Sequence, residues 1–191
     1  LLMVDTPAAL TAMLDRLSHF PVIAIDTESN SLYAYQEHVC LIQVSTPDTD
    51  YVVDALSLSD LAGMGQVFAD PRQEKVFHGA DYDVGTLRRD YGFEFAHIFD
   101  TMIASRVLGL PRYSLASLLE ERFNVRLDKR MQKYDWGRRP LEKDALEYAR
   151  LDTHYLIELR DQLQTELREK RREREAREAF ERVAQSIWNR K

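Results

Sequence analysis

The chain has 191 residues, 45% of them hydrophobic and 30% charged, with a formal net charge of −6. That length builds one sizeable core and at most a small appendage. No apolar stretch approaches the length of a membrane span, and a single cysteine excludes an internal disulfide.

The N-terminus, Leu1-Leu2-Met3-Val4-Asp5, lacks the basic flank and long apolar run of a signal peptide. It also opens without a methionine, so a piece of a longer, cytoplasmic protein is expected, with no membrane partner. Pro7 to Ser18 carries Leu10, Met13, Leu14 and Leu17 near helical spacing, with Thr6 as N-cap. Val22 to Ile25 reads as an apolar strand that ends in Asp26-Thr27-Glu28. Val39 to Thr46 is a second strand. After the turn Pro47-Asp48-Thr49-Asp50, Tyr51 to Val53 returns as a third, giving an antiparallel meander.

The pattern then alternates. Ser57 to Ala69 reads as helix, Lys75 to His78 as strand, Tyr82 to Tyr91 as helix and Ile98-Phe99 as strand. Thr101 to Leu108 is a helix capped by Asp100, and Ser114 to Phe123 is another. Asn124 to Pro140 reads as a loop, and one long helix runs from Leu141 to about Leu167. Strands first, then strand and helix in turn, predict an α/β fold with a mixed sheet and helices on its faces. Residues 1–167 form the expected domain. Residues 168–191 read as a charged, solvated helix or a linker to a further domain, because Arg/Lys and Glu alternate there in helical register.

An acidic chain is a poor general partner for nucleic acid, but its charge is unevenly spread. Between Arg122 and Arg139 stand seven basic residues, opposed only by Asp128 and Asp135. A locally basic loop on an acidic body suits an enzyme that holds metal cations at one spot and phosphates beside it.

Three short segments carry candidate chemistry. Asp26 and Glu28 lie two apart at a strand end, so both carboxylates share a face and make an oxygen-rich site for a hard divalent cation. His78-Gly79-Ala80-Asp81-Tyr82-Asp83 joins a strand to a helix. Asp81 suits an N-cap there, and Asp83 either favours the helix dipole or faces a metal. Tyr148 and Asp152 are four apart on a predicted helix, so a phenol and a carboxylate project together. Phosphoryl transfer with two metal ions needs clustered carboxylates that hold the ions about 3.5–4 Å apart, with a group beside the attacking water.

Together these segments resemble the DEDD superfamily of 3′→5′ exonucleases, in its tyrosine subclass, close to ribonuclease D and the nuclear-exosome exonuclease. The D-x-E motif matches Asp26-Thr27-Glu28, H-G-x-x-x-D matches His78 to Asp83, and Y-x-x-x-D matches Tyr148 to Asp152. The sister subclass has histidine five residues before the last Asp, where this chain has Glu147. The likeness runs from about Phe20 to Leu163, and it selects Asp83 over Asp81. It implies a ribonuclease H-like mixed sheet of about five strands with helices on both faces. It also implies Mg²⁺ or Mn²⁺, two ions per site. Asp26 would bridge them, Glu28 and Asp152 would complete the water-side position, and Asp83 would hold the other ion.

Substrate contacts are expected from Leu32 and His78 near the last nucleotide. Lys129, Arg130, Lys133, Arg138 and Arg139 are expected to track phosphates. Trp136 reads as a loop anchor. The expected activity is trimming of single-stranded RNA 3′ ends with release of nucleoside 5′-monophosphates. The rival is a DNA 3′→5′ exonuclease, since the chemistry at phosphorus is the same and the 2′-OH contacts are not legible. A non-catalytic binding module has no reason to gather negative charge beside phosphate.

Overall fold

The computed structural model describes residues 1–188. Six strands form one sheet: β1 (Leu2–Val4), β2 (Val22–Ser29), β3 (Val39–Ser45), β4 (Asp50–Asp54), β5 (Glu74–Phe77) and β6 (Ile98–Asp100), in the order β1-β4-β3-β2-β5-β6. The meander β2-β3-β4 is antiparallel, while β1 joins β4, β5 joins β2 and β6 joins β5 in parallel. The count is six strands where about five were expected. The addition is β1, whose three residues are too short to show any periodicity.

Among the described residues eight α-helices cover the sheet: α1 (Pro7–Leu17), α2 (Ala62–Ala69), α3 (Ala80–Tyr91), α4 (Thr101–Val107), α5 (Leu115–Phe123), α6 (Lys143–His154), α7 (Leu156–Glu169) and α8 (Glu173–Val183). Side chains alternate along β2. Ile23 and Ile25 pack with Met13, Leu17, Met64, Val84 and Leu87 of α1, α2 and α3. Ala24 faces the other way, into a core with Leu156, Leu159 and Leu163 of α7. Farther along the sheet, Leu41 and Val52 meet Ala145 and Ala149 of α6.

Two expectations need correction. The single helix from Leu141 to Leu167 is broken at Tyr155, which sits at φ −102° and ψ −1° between α6 and α7 and stacks on Phe123 at 5.0 Å. The break lets α6 cross β2, β3 and β4 while α7 packs over β2 and β5. The second concerns the charged tail. It is not a solvated helix: Ala176, Phe180 and Val183 of α8 are buried, and Phe180 packs against Phe99 at 4.7 Å. Charge occupies only the outer face. Residues 189–191, the end of the expected tail, lie outside the described residues.

Candidate active site

The site lies where β2 runs past the end of β5. The two strands pair only from Val22 to Ala24 on β2, so Asp26 and Glu28 emerge beside an open crevice. Both lie on the α6 side of the sheet. From α6, Asp152 meets them, and carboxylate oxygens of Asp26, Glu28 and Asp152 lie within 4.8 Å of one another. Gln43, paired with Asp26 across β3, donates from Nε2 to Glu28 Oε1 at 3.3 Å.

Thr27 points to the opposite face. Its hydroxyl donates to Asp83 Oδ1 at 2.5 Å and draws the first turn of α3 to the same crevice. Asp83 is buried and Asp81 is exposed, which separates the two residues that sequence spacing alone left in competition. Asp81 is not the N-cap either. Gly79 holds that position at φ +74°, a left-handed conformation that glycine adopts without a Cβ penalty. Asp100 supplies the cap from a distance: its carboxylate accepts from Gly79 N at 3.0 Å and Ala80 N at 2.7 Å. The same carboxylate caps α4 through Met102 N and Ile103 N, as its position predicted.

Burial raises all four carboxyls. Asp26 is pushed well above the usual range by burial and by the charges of Asp83 and Asp152. Glu28 is raised by burial and by Asp26, and Asp152 by burial and by Glu28. Burial carries Asp83 to about 7, although the Thr27 hydrogen bond pulls the other way. Among the described residues none of the four is ion-paired, and no cation is among the leading influences on them. Concentrated, uncompensated oxygen ligands of this kind suit a hard divalent cation. Tyr148 stands one turn before Asp152. Burial and the charges of Asp152, Glu28 and Asp26 push its phenol above its ordinary value, so it stays protonated at neutral pH.

His78 borders the same cleft together with Gly79, Tyr82, Ser114, Leu115, Leu127 and Gln132. Burial lowers it to about 4, so the ring is neutral at pH 7. Its Nδ1 bonds Thr101 Oγ1 at 2.8 Å, and its buried Nε2 has no partner. Leu32 is 66% exposed and lines an adjoining pocket with Ser31, Gln132, Tyr134 and Trp136. The basic residues diverge. Lys129 and Lys133 are exposed on a 3-10 turn within the predicted loop. Arg130 is forked onto Asp128, and Arg138 pairs with Glu142 at 3.1 Å. Arg139, expected to track phosphate, turns inward onto Asp54 and three main-chain carbonyls. Thr27, Tyr82 and Gln132 were given no role by sequence, and Asp100 was read only as the cap of α4, not as the partner of Gly79 and Ala80. Each acts through a contact far away in the chain or by lining the cleft, and neither leaves a local signal.

The sequence matches the profile described as 3′-5′ exonuclease over residues 1–168. The chain belongs to the 3′-5′ exonuclease family. Within it, the domain is of the ribonuclease D-like DEDD type that its motifs resemble. It is 45% identical over 165 residues to the exosome complex exonuclease RRP6 of Saccharomyces cerevisiae, covering 86% of this chain and 22% of that one. The chain thus spans about a fifth of the length of the curated relatives it matches. The catalytic core of RRP6 from Trypanosoma brucei superposes with a TM-score of 0.94 at 34% identity, over 98% of this chain and 53% of the other. Escherichia coli RNase D, an exoribonuclease involved in structured RNA processing, gives 0.89 at 28% identity, over 95% and 49%. This exonuclease domain therefore has the mixed α/β fold of its relatives, with the β1 strand and α8 packed on the same core.

Proposed function

We propose that the domain is a metal-dependent 3′→5′ exoribonuclease that removes nucleotides singly from single-stranded RNA 3′ ends and releases nucleoside 5′-monophosphates. The observation that carries this reading is the convergence of Asp26, Glu28 and Asp152 within 4.8 Å, with no cation among the leading influences on them in the described residues. Asp83 and Tyr148 border the same cleft. Asp26, Glu28, Asp83 and Asp152 would hold Mg²⁺ or Mn²⁺, two ions per site. When bound, such ions supply Lewis-acid stabilisation of the charge that develops on the phosphate and the leaving 3′ oxygen.

The chain's own part is placement. Water attacks phosphorus and gives up a proton to solvent, the bond from phosphorus to the 3′ oxygen of the penultimate nucleotide breaks, and that oxygen takes a proton from solvent. A neutral phenol cannot take the water's proton, so Tyr148 orients the water through its hydroxyl. Leu32 meets the terminal base, neutral His78 contacts the terminal nucleotide, and Lys129, Lys133, Arg130 and Arg138 attract the phosphates. Arg130 and Arg138 exchange their present carboxylate partners for phosphate.

RNA is favoured because the relatives are named an exosome exonuclease and an exoribonuclease. A reducing compartment, the cytoplasm, is proposed on the single buried thiol of Cys40, which burial pushes up to about 11 and leaves unreactive. Matched 5′-labelled RNA and DNA strands, incubated with Mn²⁺, test the substrate. Shortening of RNA by single nucleotides, with DNA spared, is the expected result. Shortening of DNA alone assigns a DNA exonuclease instead, and degradation of neither overturns the reading.

A further inference from the structure

The basic loop is fastened to the sheet from beneath. Asp54 closes β4 and is 3% exposed. Arg139 grips it with two roughly parallel bonds, Nε to Oδ2 at 3.0 Å and Nη2 to Oδ1 at 2.7 Å. Its other donors go to main chain. Nη1 donates to the carbonyls of Trp136 and Arg138, both at 2.7 Å, and Nη2 also donates to Cys40 O at 3.2 Å. Burial alone would raise Asp54, but the bonds from Arg139 and Ser57 outweigh it and hold the carboxyl below its ordinary value.

The fork thus fixes the main chain at Trp136. The indole is 3% exposed, packed among Cys40, Leu41, Val52, Ala145 and Ala149. It stacks on the Tyr148 ring with centroids 6.2 Å apart and planes at 29°. Among the described residues no hydrogen bond holds the Tyr148 hydroxyl, and the aromatic ring packed against Tyr148 is that of Trp136.

We propose that the Asp54–Arg139 pair is a positioning device for Tyr148, acting through Trp136, and that Arg139 does not bind phosphate. The proposal rests on the role given to Tyr148 above. Its physical basis is the fork. A planar guanidinium satisfies both carboxylate oxygens and three carbonyls at once, whereas a lysine ammonium satisfies one direction at a time. A misplacement of about 1 Å in a catalytic group costs on the order of 10²-fold in rate.

The test is a double-mutant cycle on 5′-labelled RNA with Mn²⁺, using Arg139→Lys, Tyr148→Phe and both together, with Trp136→Phe as a milder second route to the same ring. Arg139→Lys is expected to lower kcat at least tenfold, to leave KM within twofold, and to leave the salt dependence of binding unchanged. In the Tyr148→Phe background the same substitution should cost less than threefold. Ring-labelled NMR of Tyr148 reads the coupling without turnover, and its signals should move in Arg139→Lys and Trp136→Phe but not in Arg174→Ala, an exposed position on α8 whose guanidinium pairs with Glu178. A rise in KM with a shallower salt dependence would make Arg139 a phosphate contact and overturn the proposal. Equal costs with and without the Tyr148 hydroxyl, or Tyr148 signals unmoved in both variants, overturn it too. If the unmodified protein does not shorten RNA, the exonuclease reading fails, while the NMR still decides whether the pair sets the ring.

Discussion

Replacing Asp83 by Asn should stabilise the metal-free protein while disabling it. Asp83 is buried, and its carboxyl is carried from 3.8 to about 7. At pH 8 that displacement corresponds to about 4 kcal/mol held against the folded state, at 1.36 kcal/mol per tenfold change in proton affinity. The folded protein binds this proton more tightly than the unfolded chain. Stability is therefore fullest below pH 4 as far as this group is concerned, and it is lost as pH rises through about 7. Asn keeps an oxygen to accept from Thr27 Oγ1, now at 2.5 Å, and removes the charge. Allowing for relaxation, about 1–3 kcal/mol should be recovered, or roughly 3–10 °C in Tm for a chain of this size. The assay is thermal melting in EDTA at pH 5 and pH 8. The variant should melt higher at pH 8, the gap should narrow at pH 5, and excess Mg²⁺ should raise the unmodified protein more than the variant, which keeps Asp26, Glu28 and Asp152 but loses the carboxylate for the other ion. A variant that melts no higher than the unmodified protein at pH 8 in EDTA would refute the claim that uncompensated charge strains this site.

Tyr148→Phe should lower kcat on the order of 10²-fold while RNA affinity, measured by fluorescence anisotropy in Ca²⁺, stays within twofold. Lys129→Ala and Lys133→Ala should each weaken RNA binding and reduce the slope of log K against log salt by about one, without lowering kcat at saturating RNA. Phe180→Ala should cost about 3–5 kcal/mol in urea unfolding, because its ring is buried against Phe99; a cost under 1 kcal/mol would return α8 to the status of an appendage.

What could be read from the sequence was local. The period of two puts Asp26 and Glu28 on one face, and the spacing of four puts Tyr148 over Asp152, and the structure brings these side chains into one cleft. Asp83 was not separable from Asp81 by local rules, because the cap comes from Asp100, twenty residues after the Ala80 amide it accepts from. The inward fork of Arg139 was hidden for the same reason: its partner Asp54 is 85 residues away, and a cation in a basic loop looks like any other. The apolar face of α8 was present at Ala176, Phe180 and Val183, at helical spacing, but the flanking Arg and Glu residues hid it. The break at Tyr155 carries no glycine or proline, and it follows from how α6 and α7 lie across different strands.

We propose that the carboxylates gathered around Asp26 hydrolyse RNA from its 3′ end with the help of divalent cations. The most direct measurement follows a 5′-labelled RNA over time with the unmodified protein and with Asp26→Asn, each in Mg²⁺, in Mn²⁺ and in EDTA. The unmodified protein should yield a ladder descending by one nucleotide and free nucleoside 5′-monophosphates in metal only, and Asp26→Asn should leave the strand intact. Equal shortening in EDTA, or by Asp26→Asn, would contradict the account.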